Sequence, residues 1–181
     1  MASAAVHSVH IYDEHASLIN RLCGIVTSGL QIGGSVLIVA TSFHRDQLVK
    51  ELTKAGVNIR KHARDGTFAM YDAEATLATF MVEGRPDREF FMKSVGDLLK
   101  AAKKKARNKA GSLTVFGEMV SVLWDQGHKQ AALELEELWN DALNDRAFHL
   151  HCAYPRWGFI RDDAETAMAD VCRAHSHILL Q

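Results

Sequence analysis

The chain has 181 residues, 24% of them charged, and a formal net charge of −1, which suits one domain over residues 1–181 that buries roughly 70% of its unfolded surface without a disulfide or metal. Near-neutrality removes any global pull toward nucleic acid or an anionic membrane, and no run reaches the roughly 18 apolar residues of a membrane span. Three cysteines without CxxC spacing, Cys23, Cys152 and Cys172, and an N-terminus with neither a basic nor a long apolar stretch are expected of a cytoplasmic protein with reduced thiols.

Val9–Tyr12 reads as a short strand, followed by Asp13 as a cap for a helix that carries Leu18, Leu22, Ile25 and Gly29 on one face. Gly29, Gly33 and Gly34 end that helix before a buried strand, Ser35–Thr41. Helical periodicity resumes at Ser42, with Arg45, Leu48, Leu52 and Ala55 on one face, and stops near Gly56. Thr67–Tyr71 is a third strand, and Asp72 a cap for a short helix through Phe80. Glu83–Asp87 is a turn whose Pro86 precedes a cap. The next helix sets Phe91, Val95, Leu98, Leu99 and Ala102 on one face and runs into the basic stretch Lys103–Lys109. That stretch lacks the interleaved aromatics of a nucleic-acid site and reads as a solvated helix end.

Leu113–Phe116 is a strand, Glu118–Trp124 a helix stopped by Gly127, and the following helix sets Leu135, Leu138, Trp139 and Ala142 on a core stripe. Phe148–Tyr154 is a strand in which His149 and His151 alternate with Leu150 and Cys152. A last helix follows Asp162 or Asp163 and ends at His175-Ser176-His177. Strands alternating with helices imply an α/β fold of three layers, a mostly parallel sheet with helices on both faces. Ligands of such sheets sit beyond the carboxyl ends of the strands. Tyr12–Glu14, Thr41–Arg45, Tyr71–Asp72, Phe116–Glu118 and Tyr154–Trp157 are therefore expected to share one crevice.

The turn Ala40-Thr41-Ser42-Phe43-His44-Arg45 holds neither glycine nor lysine, so it cannot wrap and neutralise a triphosphate as phosphate loops do. Binding or sensing moves ahead of NTP hydrolysis. Thr41 and Ser42 stand ready to cap the helix or bind an anion, while His44 and Arg45 place cations against the helix dipole, a placement that calls for an acidic partner such as Glu118. Tyr12, Tyr154 and Trp157 offer aromatic walls for a small-ligand pocket. His175 and His177, with His149 or His151, form an alternative metal set for zinc or haem iron. His7, His15, His62 and His128 are expected to face solvent.

Several segments together resemble a known family: His10-Ile11-Tyr12; Val36–Thr41 with His44-Arg45; Phe80-Met81-Val82 leading to Gly84-Arg85-Pro86-Asp87; Phe116–Val120; Leu123-Trp124; Leu135-Glu136 with Leu138-Trp139-Asn140; Cys152-Ala153-Tyr154-Pro155; and His175-Ser176-His177. The combination resembles the MEDS domain, the sensory domain of methanogens and methylotrophs found in DcmR-type regulators. The resemblance implies a fold similar to the RecA/KaiC group with a degenerate phosphate loop, and a non-enzymatic role in sensing small hydrocarbon derivatives. It also implies an output through a histidine kinase or a transcription regulator. Because residue 181 lies four past the last matched segment, a stand-alone sensor and an excised domain are both expected arrangements, and a homodimer suits either. The ligand-binding set expected on these grounds is Tyr12, Thr41, His44, Arg45, Glu118, Tyr154, His175 and His177. The alternatives are a nucleotide-binding protein or slow NTPase in which Arg45, Arg60 or Arg64 replaces the missing lysine, and a haem or zinc redox sensor.

Overall fold

A computed structural model describes residues 5–108, 110–145, 147–159 and 164–180. In chain order the elements are β1 (Val6–Tyr12), α1 (His15–Gln31), β2 (Ser35–Ala40), α2 (Ser42–Lys54), α3 (Ile59–Asp65), β3 (Phe68–Asp72), α4 (Ala73–Leu77), β4 (Met81–Val82), β5 (Arg85–Pro86), α5 (Arg88–Lys103), β6 (Leu113–Gly117), α6 (Met119–Asp125), α7 (Lys129–Asp145), β7 (His149–Pro155), a 3-10 turn (Arg156–Phe159), α8 (Ala164–Arg173) and β8 (His177–Leu180). Six strands form a parallel sheet in the order β3-β2-β6-β7-β1-β8. β4 and β5 make a separate antiparallel pair. This is the expected three-layer α/β architecture.

Side chains alternate across the strands, and the alternation divides the core in two. On one face Tyr12, Val36, Ile38, Ala40, Phe116 and Ala153 meet Leu18, Leu22 and Val26 of α1 and Leu48 and Leu52 of α2. On the other, Val9, Ile11, Leu37, Val39, Val115, Leu150, Cys152 and Tyr154 meet α4 to α8. Phe80, Phe91 and Trp139 stack edge to face at the centre of this larger core, with centroids 5.2 Å apart in each pair.

Several expectations need correction. α1 begins after Glu14 rather than Asp13, and the side chain of Glu14 makes no capping bond. Asp72 and Asp87 do cap α4 and α5, accepting from the amides of Ala75 and Phe90. α8 ends at Arg173, so His175 lies in the turn beyond it and His177 opens the edge strand β8. His7 is buried, 4% exposed, rather than facing solvent: it shares the inward face of β1 with Val9 and Ile11. The capping candidates Asp162 and Asp163 lie outside the described residues.

Candidate functional site

Only Thr41 separates the end of β2 from the start of α2. Its amide, one of the unpaired donors of a helix N-terminus, donates to Glu118 Oε2 at 2.7 Å, and its hydroxyl donates to the same oxygen at 3.1 Å. Glu118 reaches this place because it follows β6, the neighbour of β2 in the sheet. The helix end that could receive an anionic ligand is thus filled by the protein's own carboxylate. The other oxygen, Oε1, accepts from His44 Nδ1 at 2.5 Å. Glu118 and His44 are 4% and 3% exposed, so this bond is shielded from water.

The polar chain continues outward. His44 Nε2 lies 2.8 Å from His15 Nδ1. With the Nδ1–H of His44 committed to a carboxylate, a neutral His44 would present a lone pair at Nε2, and His15 would then donate to it from Nδ1. His15 then turns a basic Nε2 outward. Burial lowers the pKa of His15, which favours its neutral ring.

Aromatic rings surround this outlet. Tyr12 meets Trp157 edge-on at 5.5 Å and His44 at 6.3 Å, and His15 packs against Phe43 at 5.2 Å and Trp157 at 5.3 Å. Trp124 Nε1 donates to the Gly158 carbonyl at 2.9 Å and so fixes the 3-10 turn that carries Trp157. Burial, then Glu118 and Asp125, raise the Tyr12 pKa and keep its phenol protonated. Between α1 and α2 opens a cleft of about 470 Å³, lined by His15, Ala16, Ile19, Phe43, Gln47 and Glu51 among others. Its volume falls within the range of small-molecule sites.

The structure brings together Tyr12, Thr41, His44 and Glu118 from the expected set. His15 and Phe43 complete the outlet. His15 is exposed, as expected, and it also reaches this outlet because it opens α1 just past the β1 exit. Arg45 turns away to the β3 exit, where Nη2 donates to Asp72 Oδ2 at 2.8 Å. Tyr154 is not in this crevice: it lies on the opposite face of the sheet, fully buried, and donates to Glu136 Oε1 at 2.8 Å. His175 is also on that face, beside Glu136. His177 is exposed on β8, 3.0 Å from Ser176 Oγ.

The four histidines of the alternative metal set do not all meet: His149, His151 and His177 share one face of the sheet by register, with His177 exposed at the edge strand, whereas His175 lies in the turn before β8, beside Glu136 on the other face. His149 and His151 line a second cleft of about 460 Å³ with Arg21, Ile25 and Thr114 on the α1 side. His151 Nδ1 lies 2.6 Å from Ser8 Oγ, and burial holds its pKa down at about 4.

No helix among the described residues is long and apolar enough to cross a membrane. A family model described as MEDS, the methanogen/methylotroph DcmR sensory domain, matches residues 6–176. No curated protein matches the chain.

Proposed function

The chain belongs to the MEDS family of sensory domains, and from that premise we propose that it senses a small molecule with an apolar body and one hydrogen-bond donor, held in the cleft between α1 and α2. A simple alcohol or another hydroxylated hydrocarbon derivative has this chemistry. The observation that carries the reading is the Glu118–His44–His15 chain, which delivers one oriented acceptor nitrogen to a cleft walled by Ile19, Ala16 and Phe43. A ligand hydroxyl donates to His15 Nε2 while its carbon skeleton covers Phe43.

The module is non-catalytic. The ligand shifts a pre-existing equilibrium in the packing of α1, α2 and the Trp157 turn, to the extent that it binds one arrangement better than the other. That change is read by a histidine kinase or a transcription regulator, in the same chain or a separate one, or across a homodimer. Three free thiols, Cys23, Cys152 and Cys172, favour a reducing cytoplasm. A nucleotide has less support as the ligand. The single-residue turn at Thr41 offers no cradle, and Glu118 takes up the amide that would face a phosphate.

The test is a thermal-shift screen of short alcohols, ketones and halogenated hydrocarbons. A ligand at a hundredfold excess over its Kd stabilises by about 2.7 kcal/mol, a rise of about 5–11 °C for a chain of this size. His15→Phe is expected to abolish the response, and, by leaving His44 Nε2 without its partner, to lower the ligand-free stability by about 1–3 kcal/mol. A response that survives His15→Phe, or a saturable response to MgATP alone, would overturn the reading.

A further inference from the structure

On the face of the sheet opposite the cleft, four side chains from four separate segments converge: His7 of β1, Glu136 of α7, Cys152 of β7 and His175 of the turn before β8. One ligand-type atom from each lies within 4.8 Å of all the others. All four are buried, Glu136 completely. His7 Nε2 is 3.3 Å from Glu136 Oε2 and 3.5 Å from Cys152 Sγ, Cys152 Sγ is 3.6 Å from Glu136 Oε2, and His175 Nε2 is 3.4 Å from Glu136 Oε1. A tetrahedral zinc ion with bonds of about 2.0–2.3 Å holds its ligand atoms about 3.3–3.8 Å apart. The three separations among His7 Nε2, Cys152 Sγ and Glu136 Oε2 match those edges, while His175 Nε2 approaches the other carboxylate oxygen.

The proton inventory points the same way. His175 Nδ1 lies 2.7 Å from the Val171 carbonyl, which can only accept, so Nδ1 carries the hydrogen. His7 Nδ1 lies 2.9 Å from Asn140 Oδ1, and the orientation of that amide is fixed by Asn140 Nδ2 donating to the Ala174 carbonyl at 3.1 Å. His7 therefore also donates from Nδ1. In their neutral forms both imidazoles would aim Nε2 lone pairs at a buried carboxylate, and His175 Nε2 has no hydrogen-bond partner among the described residues. Such lone pairs facing carboxylate oxygens in a dry interior would be relieved by a cation between them, a metal ion or a proton. A metal-bound histidine donates its other N–H to a carbonyl or carboxylate in this manner, and the Tyr154 hydroxyl steadies the Glu136 carboxylate at 2.8 Å.

We infer that His7, Glu136, Cys152 and His175 form a closed, four-ligand site for a divalent ion of zinc type, which pins β1, α7, β7 and the segment entering β8 to one another. Mixed nitrogen, sulfur and carboxylate donors suit zinc over magnesium or calcium. The Cys152 thiol gives its proton to solvent as the metal–sulfur bond forms. The thiolate and the carboxylate then balance the two positive charges, which leaves the buried centre neutral. With four protein ligands the site keeps no open position and is structural. It does not depend on the ligand proposed for the cleft.

The experiment uses the full chain without a histidine tag, metal analysis of the purified protein, and titration with cobalt(II) alone. About one zinc per chain is expected. Cobalt should give the strong visible bands of a four-coordinate ion and a near-ultraviolet thiolate charge-transfer band. Cys152→Ser should remove the charge-transfer band, and His175→Gln should weaken cobalt binding by at least about tenfold. A folded wild-type protein that shows neither set of bands would overturn the proposal and leave protons on the histidines as the cations. Bands unchanged by Cys152→Ser would also overturn it, assigning the metal to surface histidines. If either variant fails to fold, the wild-type cobalt spectrum decides alone.

Discussion

Glu118→Gln should reverse the direction of the hydrogen-bond chain at the cleft. The replacement is nearly isosteric, but an amide offers one acceptor and one donor where the carboxylate offers two acceptors. The Thr41 backbone amide, 2.7 Å from Oε2, can only donate, so the glutamine oxygen stays there. The NH2 group must then face His44 Nδ1, which lies 2.5 Å from Oε1 in the wild type. Histidine is the adaptable partner: it gives up the Nδ1 hydrogen and carries one on Nε2, where it donates to His15 Nδ1. His15 in turn becomes protonated at Nε2, and the cleft gains a donor where it had an acceptor. Three charge-assisted bonds to Glu118, worth about 1.5–3 kcal/mol each, become neutral bonds worth about 0.5–1.5 kcal/mol each. The net cost is about 3–4.5 kcal/mol, or about 6–18 °C in melting temperature. Nitrogen-15 shifts of the two imidazoles read the tautomers directly, and a melting curve reads the cost. Retention of the Nδ1–H form of His44 in the variant, or an unchanged melting temperature, would refute the reasoning.

Other positions give independent checks. The Asp72 carboxyl is held below its usual pKa chiefly by the Ala75 amide and then by Arg45. Its contribution is complete above the unfolded value near 3.8 and is lost as pH falls through the lower folded one. Asp72→Ala should therefore cost about 1–2 kcal/mol at neutral pH, from the cap and a partly exposed ion pair, and the gap to wild type in urea titrations should close in acid. Gly34→Ala should cost about 1–3 kcal/mol by overpacking, because a Cβ there would stand 2.9 Å from the Gly29 carbonyl oxygen and 3.0 Å from that of Ser112; an unchanged urea midpoint would show that the backbone yields. Trp139→Ala empties the centre of the larger core beside Phe91, and calorimetry should show a loss of about 3–5 kcal/mol.

Most of the sheet was legible because its strands are unbroken apolar runs or clear alternations. The misses have physical reasons. α3 buries none of its residues, so it leaves no hydrophobic period to detect. β8 is a four-residue edge strand with Ile178 and Leu180 exposed, which gives no inward stripe. β4 and β5 are two residues each, too short for any pattern.

At the site, Thr41, His44 and Glu118 could be placed together because parallel topology gathers strand exits at one edge. Tyr154 was misplaced because a strand exit specifies an edge of the sheet but not a face. The same alternation that separates Tyr154 from Tyr12 puts Cys152 and His7 on one face and His149 and His151 on the other. The convergence of residues 7, 136, 152 and 175 could not be read from spacing at all. Its members are far apart in the chain, and only the strand order, with β1 beside β7 and β8, makes them neighbours.

The most direct test of the sensing role is a proton–nitrogen NMR titration of the full chain with short-chain alcohols, following the His15 imidazole and the Trp157 indole. Saturable shifts concentrated on His15, Ile19, Phe43, Gln47 and Trp157, abolished by His15→Phe, are the predicted result. Saturable shifts centred on another part of the molecule, or none for any compound tried up to millimolar concentration, would contradict the account.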